Sequence, residues 1–404
     1  CRSRFEKLIV PRKSRSEKLM VPAESRPEKL TVPAESRFEK LTVSRNSRLK
    51  KQKTKEVEKM AVEKSVFINN DQINSFLSQN YGFENNEIFR INEGSANCYK
   101  IINKHGEFFL KEFQKKFDRQ TLKREIEICK IVQDIGVTTS EFVAAKNDDY
   151  ILEHKGHCFH LQKYIDGYMF ERNNFNDPLL FESAEILGKI HLGLSGVDFL
   201  PNGFPEEWFE GWSKEKSIKK HELIIENIIN SQRDRTEKIK ILEACETKIR
   251  LLKKYNDDHL KYSKLKRVNS HGDYNNLQIL CDQSKEKIIA IIDFSSAAYV
   301  PAVWEIIRSY SYSAKECIDG SNINFQKFKK FIDKYLNNSI LDLFDVANMA
   351  GFYYYNLLRS TYGLTSENKK LVEFAFWRTK LCEYLSTNYQ DIDSFLESVY
   401  KGVL

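Results

Sequence analysis

The chain has 404 residues, of which 41% are hydrophobic, and its 64 Lys and Arg against 57 Asp and Glu give a net charge of +7. This composition provides enough apolar side chains for packed cores, and without any run of about 18 apolar residues we expect no membrane-spanning helix and no membrane partner. The eight cysteines form no C-x-x-C pair, which disfavours a zinc site or a disulfide framework and suits a reducing cytoplasm.

The first 59 residues carry the positive charge of the chain. They contain 18 Lys and Arg against 8 Glu, whereas the remaining residues contain 46 basic and 49 acidic side chains. The part of the chain that is expected to fold therefore gives no electrostatic reason to expect a nucleic-acid partner. For the basic segment itself, a tail that attracts anionic surfaces is one functional interpretation.

Residues 3–46 consist of four similar units that repeat every 11 positions, beginning with "SRFEKLIVPRK". Three prolines, each of which would interrupt a helix, recur at one position of the unit (Pro11, Pro22 and Pro33). Each unit has only two or three apolar side chains, too few to offset the entropy lost on folding. We therefore predict a disordered basic tail over residues 1–59. Because the units are nearly identical and Met60 precedes an ordinary domain start, we expect native translation to begin at Met60.

The segment 60–165 is predicted to form a small, β-rich lobe. The stretch "YKIINKHGEFFLKEF", residues 99–113, contains two β-rich runs around a turn and predicts a hairpin. Just before it, the backbone N–H groups of Gly94 and Ser95 are candidates for binding a nucleotide phosphate, although an ordinary turn explains a single glycine as well. Lys111 lies inside the apolar second strand, where a lysine usually faces solvent.

A helix is predicted after this hairpin. The stretch "RQTLKREIEICKIVQDIGV", residues 119–137, has apolar residues at helical spacing, and Glu125 lies at the edge of the apolar face. A glutamate on this helix can pair with Lys111 on the strand and direct the lysine toward nucleotide phosphates. Glu127 points elsewhere on the helix and is the weaker candidate for this role.

The small lobe is predicted to end in a second hairpin and a hinge. The stretch "YILEHKGHCFHLQKYIDG", residues 150–167, predicts two strands around a Lys-Gly turn. Its last residues suit a connection between two lobes, where backbone groups of Gln162, Lys163 and Ile165 are candidates for hydrogen bonds to a purine.

Residues 166–404 are predicted to form a larger, mostly helical lobe. The helix "SAEILGKIHLGLSG" carries His191, which we interpret as a buried structural histidine rather than a catalyst. Residues 206–260 and three or four later segments add further helices. In one of these, "FDVANMAGFYYYNLLRSTYGL", helical spacing would place Tyr355, Arg359 and Tyr362 on one face, which either packs in the core or lines an acceptor pocket.

Between these helical blocks lie the residues that indicate phosphoryl transfer. "SHGDYNNLQIL" and "IIAIIDFSSA" predict a loop followed by a β-hairpin over residues 278–293. Phosphoryl transfer needs a carboxylate that accepts the proton of the acceptor hydroxyl, and Mg²⁺ that holds the phosphates. Asp273, in the loop, suits the first role; Asp293, at the end of the second strand, and the carboxamide of Gln278 offer the oxygen ligands that Mg²⁺ requires.

With "HGDYNNLQIL", "IIDFSSA" and "PAVWEIIR", the chain from about residue 60 to 400 resembles the aminoglycoside phosphotransferase, choline kinase and homoserine kinase-like family, small-molecule relatives of protein kinases. The resemblance implies an α+β, bilobal protein-kinase-like fold with a small β-rich N-lobe and a larger helical C-lobe. It implies Asp273 as catalytic base, Asp293 and Gln278 as Mg²⁺ ligands, Lys111 on the nucleotide phosphates and Glu125 as the residue that orients it. His271 would shape the loop. Gln278 stands where the family usually has Asn, so we expect a displaced metal rather than a lost one.

The resemblance implies an Mg²⁺-dependent kinase that uses ATP or GTP and phosphorylates a hydroxyl of a small molecule, with an aminoglycoside, an amino alcohol and a homoserine-like compound all open as acceptors. The alternative is a catalytically weak or inactive protein on the same fold, with a binding or structural role like that of spore-coat relatives. The sequence indicates no oligomeric state.

Overall fold

A computed structural model describes residues 64–91, 96–115 and 117–404. The predicted basic tail over residues 1–59, the predicted start at Met60 and the predicted phosphate-binding pair Gly94 and Ser95 lie outside the described residues.

The N-terminal part contains an antiparallel sheet and two helices. One helix precedes the first strand in the chain, and the other follows the third strand. The predicted hairpins over residues 99–113 and 150–163 are both formed, because each places polar turn residues between two apolar runs. The elements are α1 (Asn70–Tyr81), β1 (Glu87–Ile91), β2 (Asn97–Asn103), β3 (Gly106–Glu112), α2 (Arg119–Asp134), β4 (Phe142–Val143), β5 (Leu152–His154) and β6 (His157–Lys163). The strands pair in the order β1-β2-β3-β6-β4, with β5 also on β6.

Helix α2 is fixed at its start by a cap and along its length by an apolar face. The carboxylate of Asp118 accepts a hydrogen bond of 2.7 Å from the backbone N–H of Thr121, which satisfies one of the N–H groups left free at a helix start. Leu122 and Ile126 are buried with Phe113, which directly follows β3. This packing holds α2 beside the strand that carries Lys111.

The C-terminal part is mostly helical and surrounds two small sheets. Its elements are β7 (Tyr168–Met169), α3 (Asp177–Gly193), α4 (Glu206–Glu210), α5 (Lys214–Ile229), α6 (Arg235–Lys254), β8 (Arg267–Ser270), β9 (Ile279–Cys281), β10 (Ile288–Ile291), β11 (Ala298–Pro301), α7 (Ala302–Ser313), α8 (Phe325–Leu336), α9 (Leu343–Val346), α10 (Met349–Arg359) and α11 (Lys369–Tyr400). One sheet has the strand order β10-β9-β7 and the other pairs β11 with β8. A large hydrophobic cluster packs most of the helices together. None of the helices in the described part of the chain is long and apolar enough to cross a membrane.

The helix predicted over "FDVANMAGFYYYNLLRSTYGL" is divided into α9 and α10, and it ends at Arg359. A new helix start forms because the buried carboxylate of Asp393 accepts hydrogen bonds from the backbone N–H groups of Ala350 and Gly351, at 2.8 and 2.9 Å. Tyr362 therefore lies beyond the end of α10, and the prediction that it shares a helix face with Tyr355 and Arg359 was wrong.

Candidate active site

The loop that carries Asp273 depends on a glycine that no other residue can replace without movement of the backbone. Gly272 follows β8 and has φ +79°, and a Cβ atom on it would lie 1.9 Å from the carbonyl oxygen of Ser296. Such close approach of two backbones in a left-handed conformation is what glycine permits. Gly272 thus brings Asp273 against the segment that follows Asp293.

His271 connects the same two segments. Its Nε2 lies 2.9 Å from the carbonyl oxygen of Ile292, and the backbone N–H of Asp273 donates to its Nδ1 at 3.2 Å. Because Nδ1 accepts, the ring proton is on Nε2 and is donated to Ile292. The ring also packs on Phe294, with centroids 4.4 Å apart. His271 therefore shapes the loop, as the resemblance implied, and fixes Asp273 next to Asp293 in space.

The carboxylate of Asp273 accepts hydrogen bonds from three side chains and stays partly open. One donor is the amide of Asn275, whose Nδ2 lies 3.4 Å from Oδ1. The guanidinium of Arg308, on α7, donates to its Oδ1, and Nε2 of Gln278 donates to its Oδ2 at 3.3 Å. The side chain of Asp273 is 36% exposed, against 13% for Arg308. Burial lowers the pKa of Arg308, but the charge of Asp273 outweighs it and raises this pKa overall. A carboxylate that is oriented but still accessible suits the acceptance of a proton from a bound hydroxyl.

The carboxylate of Asp293 is paired with Lys111. The ammonium of Lys111 donates to Oδ1 of Asp293 at 2.7 Å, and the Ser295 hydroxyl donates to the same oxygen at 2.6 Å. Burial favours the neutral carboxyl, but the charge and hydrogen bond of Lys111 prevail and hold the pKa of Asp293 well below its usual value. Asp293 also has φ +63°, a conformation that costs a non-glycine residue about 1 kcal/mol and clusters at functional sites.

The donor set around Asp293 fits Mg²⁺. Gln278 is joined to the end of β10 by a hydrogen bond of 2.9 Å from the backbone N–H of Ile292 to the Gln278 carbonyl. With its Nε2 on Asp273, its carboxamide oxygen is left as a ligand. Proteins commonly bind Mg²⁺ through only one or two oxygen ligands, such as a carboxylate and an amide oxygen. Phosphates and water provide the remaining ligands. Gln278 ends a short 3-10 turn, so the prediction that it opens the first strand was wrong.

Lys111 and Glu125 are not paired in this structure. Glu125 is 1% exposed, and among the described residues neither of its oxygens has a hydrogen-bond partner. Nε2 of His160 lies 3.5 Å from its Oε2. The charge of Glu125 still contributes to the raised pKa of Lys111, which burial alone would lower and which Asp293 raises most. Glu125 thus lies near Lys111, but the ion-pair partner of Lys111 is Asp293.

The predicted purine-binding backbone lies at the end of β6, and two of its N–H groups have partners. The N–H of Lys163 donates to the carbonyl of Glu141 at 2.8 Å, and that of Tyr164 donates to Glu107 at 3.0 Å. Gln162 is buried and pairs with strands on both sides. Within the described residues, no turn or loop hydrogen bond of the backbone involves Ile165, so its backbone is the one free to meet a base.

Sequence analysis missed two residues of the stretch "PAVWEIIR" that support the loop. Arg308 is the first, and Glu305, one helical turn earlier, is the second. The carboxylate of Glu305 is fully buried and accepts from the backbone N–H of Tyr274 at 3.0 Å. Nε2 of His191 lies 3.3 Å from it, so His191 has the structural role predicted for it. These two residues could have been recognised from the sequence, because they are an acid and a base at i, i+3 spacing on an otherwise uncharged helix.

Replacing Glu305 is expected to destabilise the loop that carries Asp273. Glu305→Ala leaves the Tyr274 N–H without its acceptor and removes one neighbour of His191, whose Nε2 still lies 3.0 Å from the Ser270 hydroxyl. The variant should cost about 1–3 kcal/mol of the free energy of unfolding. Burial works in the opposite direction, but the hydrogen bond and charge of His191 hold the pKa of Glu305 below its usual value. The carboxylate therefore stabilises the fold above the unfolded pKa, and this contribution is lost as the pH falls.

Urea unfolding of the wild type, Glu305→Ala and Glu305→Gln at several pH values checks this. We expect Gln to retain part of the stability, and the deficit of Glu305→Ala to shrink below about pH 4. An equal deficit for both variants at every pH would contradict the account.

Comparison with known proteins shows the family and the fold of the chain. The sequence profile described as the phosphotransferase enzyme family matches residues 87–319. No curated protein matches the chain by sequence.

Three solved structures are similar in fold. A microcompartment-associated aminopropanol kinase has a TM-score of 0.55 at 12% identity, over 81% of this chain and 99% of that chain. An amicoumacin kinase in complex with AMP-PNP and Ca²⁺ has a TM-score of 0.51 at 12% identity, over 80% and 93%. A choline kinase from Cryptosporidium parvum has a TM-score of 0.50 at 15% identity, over 83% and 98%. The predicted bilobal fold, with a β-rich N-lobe and a helical C-lobe, is confirmed.

Proposed function

The chain belongs to the phosphotransferase enzyme family, and we propose that it moves the γ-phosphate of ATP or GTP to a hydroxyl group of a small molecule in an Mg²⁺-dependent reaction. The observation that carries this proposal is the convergence of Lys111, Asp273 and Asp293, which are far apart in the sequence. Lys111 contacts Asp293 directly at 2.7 Å, and His271 ties the Asp273 loop to the residue before Asp293.

In the proposed reaction each of these side chains has one task. Oδ2 of Asp273 accepts the proton of the acceptor hydroxyl as the oxygen attacks the γ-phosphorus, while Arg308 and Gln278 keep the carboxylate in position. The bond between the γ-phosphorus and the oxygen that bridges it to the β-phosphate breaks, and the nucleoside diphosphate leaves with that oxygen. The ammonium of Lys111 would bind phosphate oxygens, and Asp293 with the amide oxygen of Gln278 would hold the metal. When bound, Mg²⁺ neutralises charge that develops on the phosphates.

The nucleotide is proposed to bind between the sheet and the helical lobe, with its base at the backbone of Ile165. Support comes from the similar amicoumacin kinase, which was solved with AMP-PNP. Since hydrogen bonds of the backbone to a purine distinguish adenine from guanine by only one or two groups, both donors need to be tested.

The experiment is a screen of hydroxylated metabolites, amino alcohols and aminoglycosides with labelled ATP and GTP in the presence of Mg²⁺. We expect phosphate to appear on at least one class of acceptor. Nucleotide binding without transfer to any acceptor would favour the inactive, binding protein instead, and failure to bind Mg²⁺-nucleotide would exclude both functions.

Gln278 provides a separate test of the metal site. Gln278→Asn should retain activity because the carboxamide oxygen survives. Gln278→Leu removes that oxygen and the 3.3 Å hydrogen bond to Asp273, so the Mg²⁺ concentration needed for half-maximal rate should rise about 10- to 100-fold. Rates measured against Mg²⁺ at saturating nucleotide check this, and an unchanged Mg²⁺ response of Gln278→Leu would remove Gln278 from the metal site.

A further inference from the structure

Three arginines lie around the ring of Tyr312, and one of them reaches Asp273. Arg308 on α7 contacts Asp273, Arg378 lies on α11, and Arg172 follows β7. We refer to these three residues as the arginine cluster. The guanidinium of Arg308 lies 4.7 Å from the ring centroid of Tyr312 and that of Arg172 lies 5.9 Å from the same ring.

Aromatic rings hold the other two arginines in place. The guanidinium of Arg172 stacks on Phe374, with its central carbon 3.7 Å from the ring centroid. Arg378 lies 5.8 Å from the same ring and 5.6 Å from that of Tyr362. Tyr362 is 42% exposed, and Asp273 contributes to its raised pKa, of which burial is the largest cause. Arg172 and Arg378 are themselves half-buried, so part of the cluster reaches solvent beside Tyr362.

One buried nitrogen of each arginine in the cluster has no hydrogen-bond acceptor in the described part of the protein. Among the described residues, Asp273 is the one carboxylate that pairs with any of the three arginines. Nε of Arg172, Nε of Arg378 and Nη1 of Arg308 are buried without a hydrogen-bond partner. Buried N–H groups of charged side chains are rarely left unpaired, because their desolvation costs about 1–3 kcal/mol or more.

Packing alone does not account for this arrangement, as another arginine of the same lobe shows. Arg359 stacks on Trp208 at 3.5 Å. Its Nη1 nevertheless donates to the carbonyl of Trp208 at 2.6 Å and to the hydroxyl of Tyr355 at 3.0 Å. Arg359 thus stacks on a ring and is hydrogen-bonded, whereas Arg172 and Arg378 stack on rings and each have a buried Nε without a partner among the described residues.

The buried Tyr312 reports the electrostatic potential of the cluster. Burial by itself raises the pKa of a tyrosine, but here the charges of Arg378 and Arg308, a hydrogen bond with Tyr353 and the charge of Arg172 prevail and lower the pKa of Tyr312. The region between the three guanidinium groups therefore stabilises negative charge.

We propose that the acceptor is an anionic hydroxy compound, whose carboxylate or phosphate group is bound by the arginine cluster while its hydroxyl faces Asp273. Planar guanidinium groups match both oxyanions through paired hydrogen bonds. A polycationic aminoglycoside or a quaternary amino alcohol would meet like charge at this position. This inference rests on the proposed phosphotransferase function and narrows the class of its acceptor.

The test uses four three-carbon probes of similar size: glycerate, glycerol 3-phosphate, glycerol and 3-amino-1,2-propanediol. Calorimetric titration into the protein saturated with Mg²⁺ and AMP-PNP measures their affinities, and labelled ATP measures transfer. We expect one of the two anions to bind about 10- to 100-fold more tightly than the neutral and cationic probes. The stronger anion distinguishes a carboxylate from a phosphate as the recognised group.

Variants of Arg172 and Arg378 test whether the arginine cluster causes the preference for anions. Arg172→Gln and Arg378→Gln should each weaken the preferred anion about 10-fold or more, while the affinity for AMP-PNP is unchanged. Arg172→Lys should restore part of the affinity. Arg250→Gln, which removes an exposed arginine paired with Glu383, is the matched control and should change nothing.

The possible failures are distinct. If the amine or glycerol binds as tightly as the anions, if neither anion binds, or if the two Gln variants leave anion affinity unchanged, the inference is wrong. Transfer of phosphate to a cationic acceptor would likewise overturn it while the proposed function stands. Failure of AMP-PNP to bind in the presence of Mg²⁺ would reject the proposed function itself.

Discussion

Asp273→Asn is expected to lower kcat about 1,000-fold while the affinity for Mg²⁺-nucleotide stays unchanged, because the amide cannot accept the hydroxyl proton. The substitution keeps the shape of the side chain and one oxygen that accepts from Arg308. The loop is held by Gly272 and His271 through backbone contacts, so its position should survive. Steady-state rates and nucleotide titrations on the same samples check this prediction.

Asp198→Asn is the matched control, since Asp198 is an exposed aspartate of the same lobe, and it should leave both quantities unchanged. If Asp273→Asn retained more than about a tenth of the wild-type kcat, a contribution well below that of a general base, proton transfer to Asp273 would not be part of the reaction.

The second large effect is expected for Asp293→Asn, which should lower kcat/KM for nucleotide about 1,000-fold or more through loss of the metal. It should also destabilise the free protein by about 2 kcal/mol, because Lys111 loses a charged hydrogen-bond acceptor. The pKa of Asp293 lies below its unfolded value, so the pair stabilises the fold above about pH 4, and this contribution is lost as the pH falls. Nucleotide titrations with and without Mg²⁺ and urea unfolding at pH 3 and pH 7 check these expectations.

Asp177→Asn breaks another Lys–Asp pair, the exposed contact of 2.8 Å with Lys327, and should affect neither activity nor nucleotide binding. The double variant Lys111→Met/Asp293→Asn should recover stability relative to Asp293→Asn, since no buried ammonium is left unpaired. An Asp293→Asn protein that still required Mg²⁺ at the wild-type concentration would contradict the assignment of Asp293 as a metal ligand.

The two hairpins, the helix after Lys111 and the loop with Asp273 could be predicted from the sequence, because each depends on local patterns. Alternating apolar residues around a polar turn specify a hairpin wherever it lies. Asp273 and Asp293 were predicted as site residues because the chemistry of phosphoryl transfer requires their groups in this order.

The remaining features depend on contacts between distant segments. The predicted helix is divided at Met349 because Asp393, over 40 residues further along the chain, accepts a hydrogen bond from the backbone there. No local sequence pattern predicts such a contact. The partner of Lys111 was predicted as Glu125, because both occur in order along the chain, but the structure places Asp293 closer. The arginine cluster joins residues of three separate segments, and each arginine taken alone resembles an ordinary surface charge.

The most direct test of the account follows the γ-phosphate itself. ³¹P NMR of the wild type with Mg²⁺, ATP or GTP and the hydroxylated probes should show a phosphomonoester that forms at the same rate as the nucleoside diphosphate. Asp273→Asn should bind the nucleotide and form neither product at a comparable rate. If the γ-phosphate appeared only as inorganic phosphate, at a rate equal in the wild type and Asp273→Asn, the chain would not be a phosphotransferase acting through Asp273.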